Sequence, residues 1–228
     1  MSTSGTYTYN PSLGELTVYA YQLIGVRPTA LLQEHIDVAR TATNMMFTRW
    51  SNQGVNLWQV VLNITPLVQG QSTYTVDSST VVVLDAYIST TTGSSTIDRI
   101  ILPISRTEYA SYPNKAQQGF PTTFWFNRLL NPTITLWPVP DGTQTSLTYY
   151  SVLRIQDANV TGTEEMDIPP IWLEAMAYGL AYRLAQIWAP EKAAMFKPQA
   201  DEAYEIAAAQ NVETAAYYLS PQISGYFR

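Results

Sequence analysis

The chain has 228 residues, 46% hydrophobic and only 13% charged, which is enough apolar material for one large domain or two small ones and excludes global disorder. It contains no cysteine, so disulfide frameworks, zinc knuckles, iron–sulfur clusters and thiol nucleophiles are excluded. Its net charge is −6, and its three lysines form no basic run, which argues against tight binding to DNA phosphates.

The N-terminus has no basic region followed by an apolar core, and no stretch approaches the roughly 18 apolar residues of a membrane span. A soluble, unprocessed chain is expected. Ser12 and Glu15 have the spacing of a capping box. Leu16, Tyr19, Ala20 and Leu23 follow at helical spacing, and Gly25 suits a left-handed helix end. Thr29 is expected to cap a second helix with Leu32, Ile36, Ala39, Thr43, Met46 and Trp50 along one stripe, closed by Gly54. From Leu57 the period changes to two. Trp58, Val60, Leu62 and Ile64 alternate with Gln59, Val61, Asn63 and Thr65, as in a half-buried strand.

Further β-branched and aromatic runs predict strands at Ser72–Val76, Thr80–Ile88, Ile97–Leu102, Thr122–Asn127, Thr133–Trp137 and Ser146–Ile155. They are separated by turn chemistry such as Gly93-Ser94-Ser95, Asn131-Pro132 and Asp141-Gly142. Thr90–Thr96 reads as a polar loop tip. Helical spacing returns after Pro169-Pro170, where Ala175, Ala177, Gly179 and Ala181 allow another helix to approach closely. Pro190 ends that helix, and a second, Ala-rich one runs from Glu191 to about Glu213, with a kink expected at Pro198.

The predicted fold class is α+β. Residues 1–56 and 157–214 are expected to form a four-helix core, 57–156 an inserted all-β unit of sandwich or barrel-like form, and 215–228 an extended C-terminal tail.

The charge is unevenly distributed. Residues 1–56 and 57–156 each sum to zero, so the whole −6 lies in 157–228. Chemistry is hard to find. His35 is the lone histidine, and neither Glu34 nor Asp37 can converge on it from one helix face, so it reads as a surface or interface residue. Glu164, Glu165 and Asp167 form the densest acidic cluster. Just before a helix, they read as capping charges favoured by the macrodipole. Phe124, Trp125 and Phe126 could stack sugars, but alternation turns at least one of them inward. No phosphate loop or nucleophile elbow is present. No catalytic residue, metal site or cofactor is predicted.

Taken in order, the motifs resemble a known family. Arg49 to Trp58, Arg106 to Tyr109, Tyr112-Pro113, Gly119-Phe120-Pro121-Thr122, Leu136-Trp137-Pro138-Val139-Pro140-Asp141, Tyr149-Tyr150 and Pro169-Pro170-Ile171-Trp172 leading to Leu180–Ala185 resemble the head-to-tail adaptor, or head-completion, proteins of tailed phages, especially short-tailed ones. The resemblance spans about residues 12–210.

It implies a virion protein, made in the host cytoplasm and placed at the head–tail junction. Twelve copies would form a ring beneath the portal protein, extending the DNA channel and docking a tail nozzle or fibres, with only passive, non-specific contact with DNA and none with membrane. On this reading Glu164, Glu165, Asp167, Asp201, Glu202 and Glu205 are the candidate lumen-facing acids. Tyr217, Tyr218, Leu219, Pro221, Ile223, Tyr226 and Phe227 are the candidate portal-binding residues of the tail. Arg49, Arg106, Arg128 and Arg154 suit subunit interfaces. The alternatives are another neck, nozzle or tail-tube component, a carbohydrate-binding attachment module, and a carboxylate-dependent hydrolase.

Overall fold

The computed structural model describes residues 4–54, 57–159 and 165–211. The helix α1, Leu13–Ile24, begins with the predicted capping box. The Ser12 N–H donates to the Glu15 carboxylate at 2.9 Å, and the Glu15 N–H to the Ser12 hydroxyl at 3.3 Å. It ends at Gly25 with φ +93°, and the Lys192 ammonium donates to the Ile24 carbonyl at 2.7 Å, placing a cation on the negative end of the helix dipole. Its buried stripe is Leu13, Leu16, Thr17, Ala20, Tyr21 and Ile24. Tyr19, expected in the stripe, faces outward.

The helix α2, Gln33–Gln53, starts later than expected. Thr29 lies in a short 3-10 turn, Pro28–Ala30, and caps nothing. The Leu32 N–H instead donates to His35 Nδ1 at 3.2 Å, which leaves the Leu32 side chain outside the helix and exposed. His35 is therefore a buried residue and not a surface one. Its ring stacks on Trp188 with centroids 4.1 Å apart, and the Tyr21 hydroxyl donates to its carbonyl at 2.6 Å.

After a 3-10 turn at Pro170–Trp172, α4 (Leu173–Trp188) packs against α1, α2 and α5 (Pro190–Gln210). Ala175, Ala177 and Ala181 are buried, and a Cβ on Gly179 would lie 2.7 Å from Met46 Sδ of α2, so the small residues of α4 do admit a close neighbour. Pro190 is the first residue of α5, where its missing N–H costs nothing, and the helix is assigned without a break through Pro198. Trp172 is fully buried at the centre. Its ring lies 5.0 Å from Trp50, 5.4 Å from Trp58 and 5.7 Å from Tyr204, tying α2, the start of the β segment and α5 together.

Between the helix pairs, β1 (Val60–Pro66), β2 (Thr73–Thr75), β3 (Thr80–Thr92), β4 (Ser95–Pro103), β6 (Thr123–Asn127), β7 (Thr133–Trp137) and β9 (Ser146–Leu153) form one seven-stranded sheet ordered β1-β9-β3-β4-β6-β7-β2. All neighbours are antiparallel except β4 and β6. The pair β5 (Gln118–Gly119) and β8 (Val139–Pro140) is separate. The sheet curls around its own core of Tyr74, Val83, Ile88, Ile101, Phe124, Ile134, Leu136, Leu147 and Tyr149, while β1 and β2 remain unpaired with each other. Thr90–Thr92 and Ser95–Thr96, expected as a loop, extend the β3–β4 hairpin, leaving Gly93 and Ser94 as the turn. A short helix that the sequence pattern did not suggest, α3 (Arg106–Ser111), is capped by Ser105.

Side chains fasten the sheet to the helices. Asn44 of α2 grips Ala158 by both backbone groups, donating to its carbonyl at 3.1 Å and accepting from its N–H at 2.7 Å. The Trp58 indole donates to the Asp167 carbonyl at 3.0 Å, and the Ile155 N–H reaches the Ser51 hydroxyl at 3.4 Å.

Candidate interaction surfaces

Strand β1 holds the first surface. Period two identified the strand but not its covered side: Val60, Leu62 and Ile64 face outward, and Asn63 turns inward to donate to the Ser151 hydroxyl at 2.8 Å. Register places Leu62 beside Tyr150, and Thr148 beside Tyr87, which pairs with Ile100 of β4. Leu62, Ile64, Tyr150, Ile100 and Leu102 are all exposed, so this outer face carries an apolar band.

At the foot of the band, where the sheet meets the helices, lies a groove of about 630 Å³. Trp58, Val60, Leu84, Tyr150 and Ile171 line it, and Gln210 and Asn211 at the end of α5 form one wall. Val60, Leu84, Tyr150 and Ile171 retain 36 to 45% of their accessibility there.

A third apolar surface is the β6–β7 loop, where Leu130 is 91% exposed and Leu129 61%. Sequence reading passed over it, although two adjacent leucines before Asn131-Pro132 in a turn are a visible signal.

The aromatic residues around α3 are arranged differently. Phe124 is core. Trp125 stacks on Tyr109 at 5.5 Å and Trp137 on Tyr112 at 4.0 Å, so the rings a sugar would need as platforms lie against one another. Arg99 covers Phe120 at 4.6 Å, and the Trp137 indole donates to the Asn114 carbonyl at 3.0 Å. The motifs around residues 106–112, 119–122 and 136–141 thus form one structural joint, as those at 49–58 and 169–172 form the tryptophan cluster.

The predicted acids divide into two places. Asp201, Glu202 and Glu205 are exposed on α5. Asp167 is half-buried and structural, its carboxylate accepting from the Gln156 N–H at 3.1 Å, while the exposed Glu165 lines a separate 290 Å³ pocket with Asp157 and Asp167. Glu164 lies outside the described residues, as does the whole predicted tail with Tyr217, Tyr218, Leu219, Pro221, Ile223, Tyr226 and Phe227. The helix predicted to reach Glu213 is described only to Gln210.

Arg49, Arg106, Arg128 and Arg154 are all exposed. Arg49 shares a 240 Å³ pocket between α2, α4 and α5 with Arg183, Tyr182, Tyr204 and Asp201. Burial, and then the neighbouring Arg49, hold the Arg183 guanidinium below its ordinary value. The pocket thus brings two arginines and one carboxylate of this chain, Asp201, to one opening.

Among the described residues, no group of three or more histidines, aspartates or glutamates is placed to hold a metal ion, and no helix is long and apolar enough to cross a membrane. Asp141 serves its turn: its carboxylate accepts from the Thr143 hydroxyl at 2.7 Å and from the Thr143 N–H at 3.0 Å, which lowers its pKa.

No curated protein matches the chain. A family model described as SU10 adaptor protein matches residues 20–224.

Proposed function

Because the chain belongs to the SU10 adaptor protein family, and so to the structural adaptors of phage particles, we propose that it forms a ring beneath the portal, continues the DNA channel and docks the tail. The observation that carries this reading is the uncovered apolar surface, on the outer face of the sheet and at Leu129-Leu130, in a chain otherwise poor in charge. Monomers rarely leave so much apolar area to water, whereas a ring subunit covers two different faces by rotation. Twelve copies around one axis is the number that the family resemblance implies.

In such a ring the exposed acids Asp201, Glu202 and Glu205 of α5 face the lumen, with Glu164 and Glu165 supplied by the separate acidic segment before α4, while Asp167 is engaged by the Gln156 N–H. Carboxylates along a channel repel phosphate, so DNA slides without counterion-release binding. The arginines at the subunit surface meet carboxylates of the adjoining copy, and the tail aromatics Tyr217, Tyr218, Tyr226 and Phe227 anchor in the portal.

The test is mass in solution by light scattering, with and without a purified portal ring from the same particle. A defined multimer that appears when portal is added supports the adaptor ring. A monomer that ignores portal refutes it and advances the tail-component reading.

A further inference from the structure

The groove between the sheet and the end of α5 is lined largely by apolar side chains, and its position relative to the chain is informative. Gln210 and Asn211 are part of its wall, so residues 212–228 leave α5 at the groove itself. Val60, Leu84, Tyr150 and Ile171 converge there with much of their surface uncovered.

The departing sequence is complementary to it. In Tyr217-Tyr218-Leu219-Ser220-Pro221-Gln222-Ile223-Ser224, every second residue from Tyr217 to Ile223 is apolar, and Tyr218, Ser220 and Gln222 take the intervening places. A chain with that period offers one apolar side when extended. Its only charges are Glu213 and Arg228, so seating it brings little charge into an apolar site.

We propose that residues 212–228 of the free subunit fold back into this groove of their own chain, with Tyr217, Leu219 and Ile223 covering Val60, Leu84, Tyr150 and Ile171. The linker decides between the chain's own segment and that of a second copy. Six residues from Asn211 to Tyr217 reach at most about 20 Å, which keeps the segment at an effective concentration in the millimolar range beside the groove. A second copy competes only at comparable protein concentration. The inference does not depend on ring formation. Where the adaptor reading holds, groove and portal compete for one segment, and docking restrains the segment until portal is met.

The absence of native cysteine makes the test direct. In the full chain, Ile171→Cys is combined with Leu219→Cys, and as a control Met45→Cys, at an exposed position on α2, with the same Leu219→Cys. On mild oxidation of dilute protein, the groove pair is expected to close an intramolecular disulfide about ten-fold faster than the control pair or more. Equal rates would overturn the proposal, and so would disulfide-linked dimers as the main product, which would assign the groove to a second copy. A nitroxide on Leu219→Cys alone leaves the groove intact. It should broaden the amide resonances of Leu84 and Tyr150 and spare Met45; broadening that is absent or uniform refutes the inference. Neither measurement involves portal, so its failure is distinct from failure of the ring.

Discussion

Replacing Asn44 tests how the sheet is held to the helical core. Its side-chain amide satisfies both backbone groups of Ala158, which is 9% exposed, at 3.1 Å and 2.7 Å. Each such bond contributes about 1 kcal/mol net, and an orphaned, nearly buried backbone group costs about 1–3 kcal/mol. Asn44→Ala should therefore lower stability by about 2–4 kcal/mol, measured by urea unfolding followed by circular dichroism. Asn44→Asp is the sharper probe. It keeps the acceptor for the Ala158 N–H but sets a carboxylate oxygen against the Ala158 carbonyl. Protonation restores a donor, so the folded-state pKa of this carboxyl is raised above the ordinary value of about 4. Its stability should be greatest below that value and be lost as pH rises through the raised one. Relative to wild type at the same pH, Asn44→Asp should recover at least about 1 kcal/mol between pH 7 and pH 4. A deficit that does not change with pH, or a variant within about 0.5 kcal/mol of wild type at pH 7, would refute the reading of Asn44 as a two-bond tether.

Burial pushes the Tyr21 phenol from 10.0 to about 12, so its contribution is complete below pH 10 and is lost as pH rises toward 12. Tyr21→Phe should cost about 1 kcal/mol at pH 7 through the lost bond to the His35 carbonyl, and the gap to wild type should narrow above pH 10; parallel pH curves would contradict this. Gly25→Ala places a Cβ 2.7 Å from Lys192 Nζ at a φ of +93°, so it should destabilise by about 1–2 kcal/mol. It should cost less in a Lys192→Ala background, a coupling that a double-mutant cycle measures and that simple additivity would disprove. Reversing Asp201, Glu202 and Glu205 to lysine should give the assembled protein a salt-sensitive affinity for duplex DNA, readable by fluorescence anisotropy at several salt concentrations; no gain over wild type would remove these acids from the channel wall.

What the sequence disclosed depended on how far apart the interacting groups lie. The capping box of α1 was legible because Ser12 and Glu15 satisfy each other within one turn. The same Ser-x-x-Glu spacing occurs at Ser105 and Glu108, where the Glu108 N–H does reach the Ser105 hydroxyl at 3.1 Å, but α3 is only six residues long and lacks the apolar period that makes a helix visible. His35 looked like a surface residue because its surroundings come from elsewhere: Tyr21 of α1 and Trp188 at the end of α4 close over it. Alternation marked β1 as a strand, yet the covered side is set by β9 and the curl of the sheet, which no local pattern records. The family motifs stood out as a linear series. That Trp50, Trp58 and Trp172 meet in one cluster is a fact of tertiary structure alone. The groove was illegible for the same reason, since its walls come from β1, β3, β9 and both ends of the α4–α5 hairpin.

The pairing of Val60 with Val152 has a mechanical consequence. The chain crosses from helices to sheet and back through two antiparallel strands side by side, within one strand spacing of about 5 Å. A load pulling the far end of the sheet away from the helices runs along both strands and is shared between them, and a torque about the connection is opposed by the pair as a single strand could not oppose it. With Asn44 gripping Ala158 and Trp58 gripping the chain at Asp167, a push on the sheet is delivered to α2 and to the start of α4.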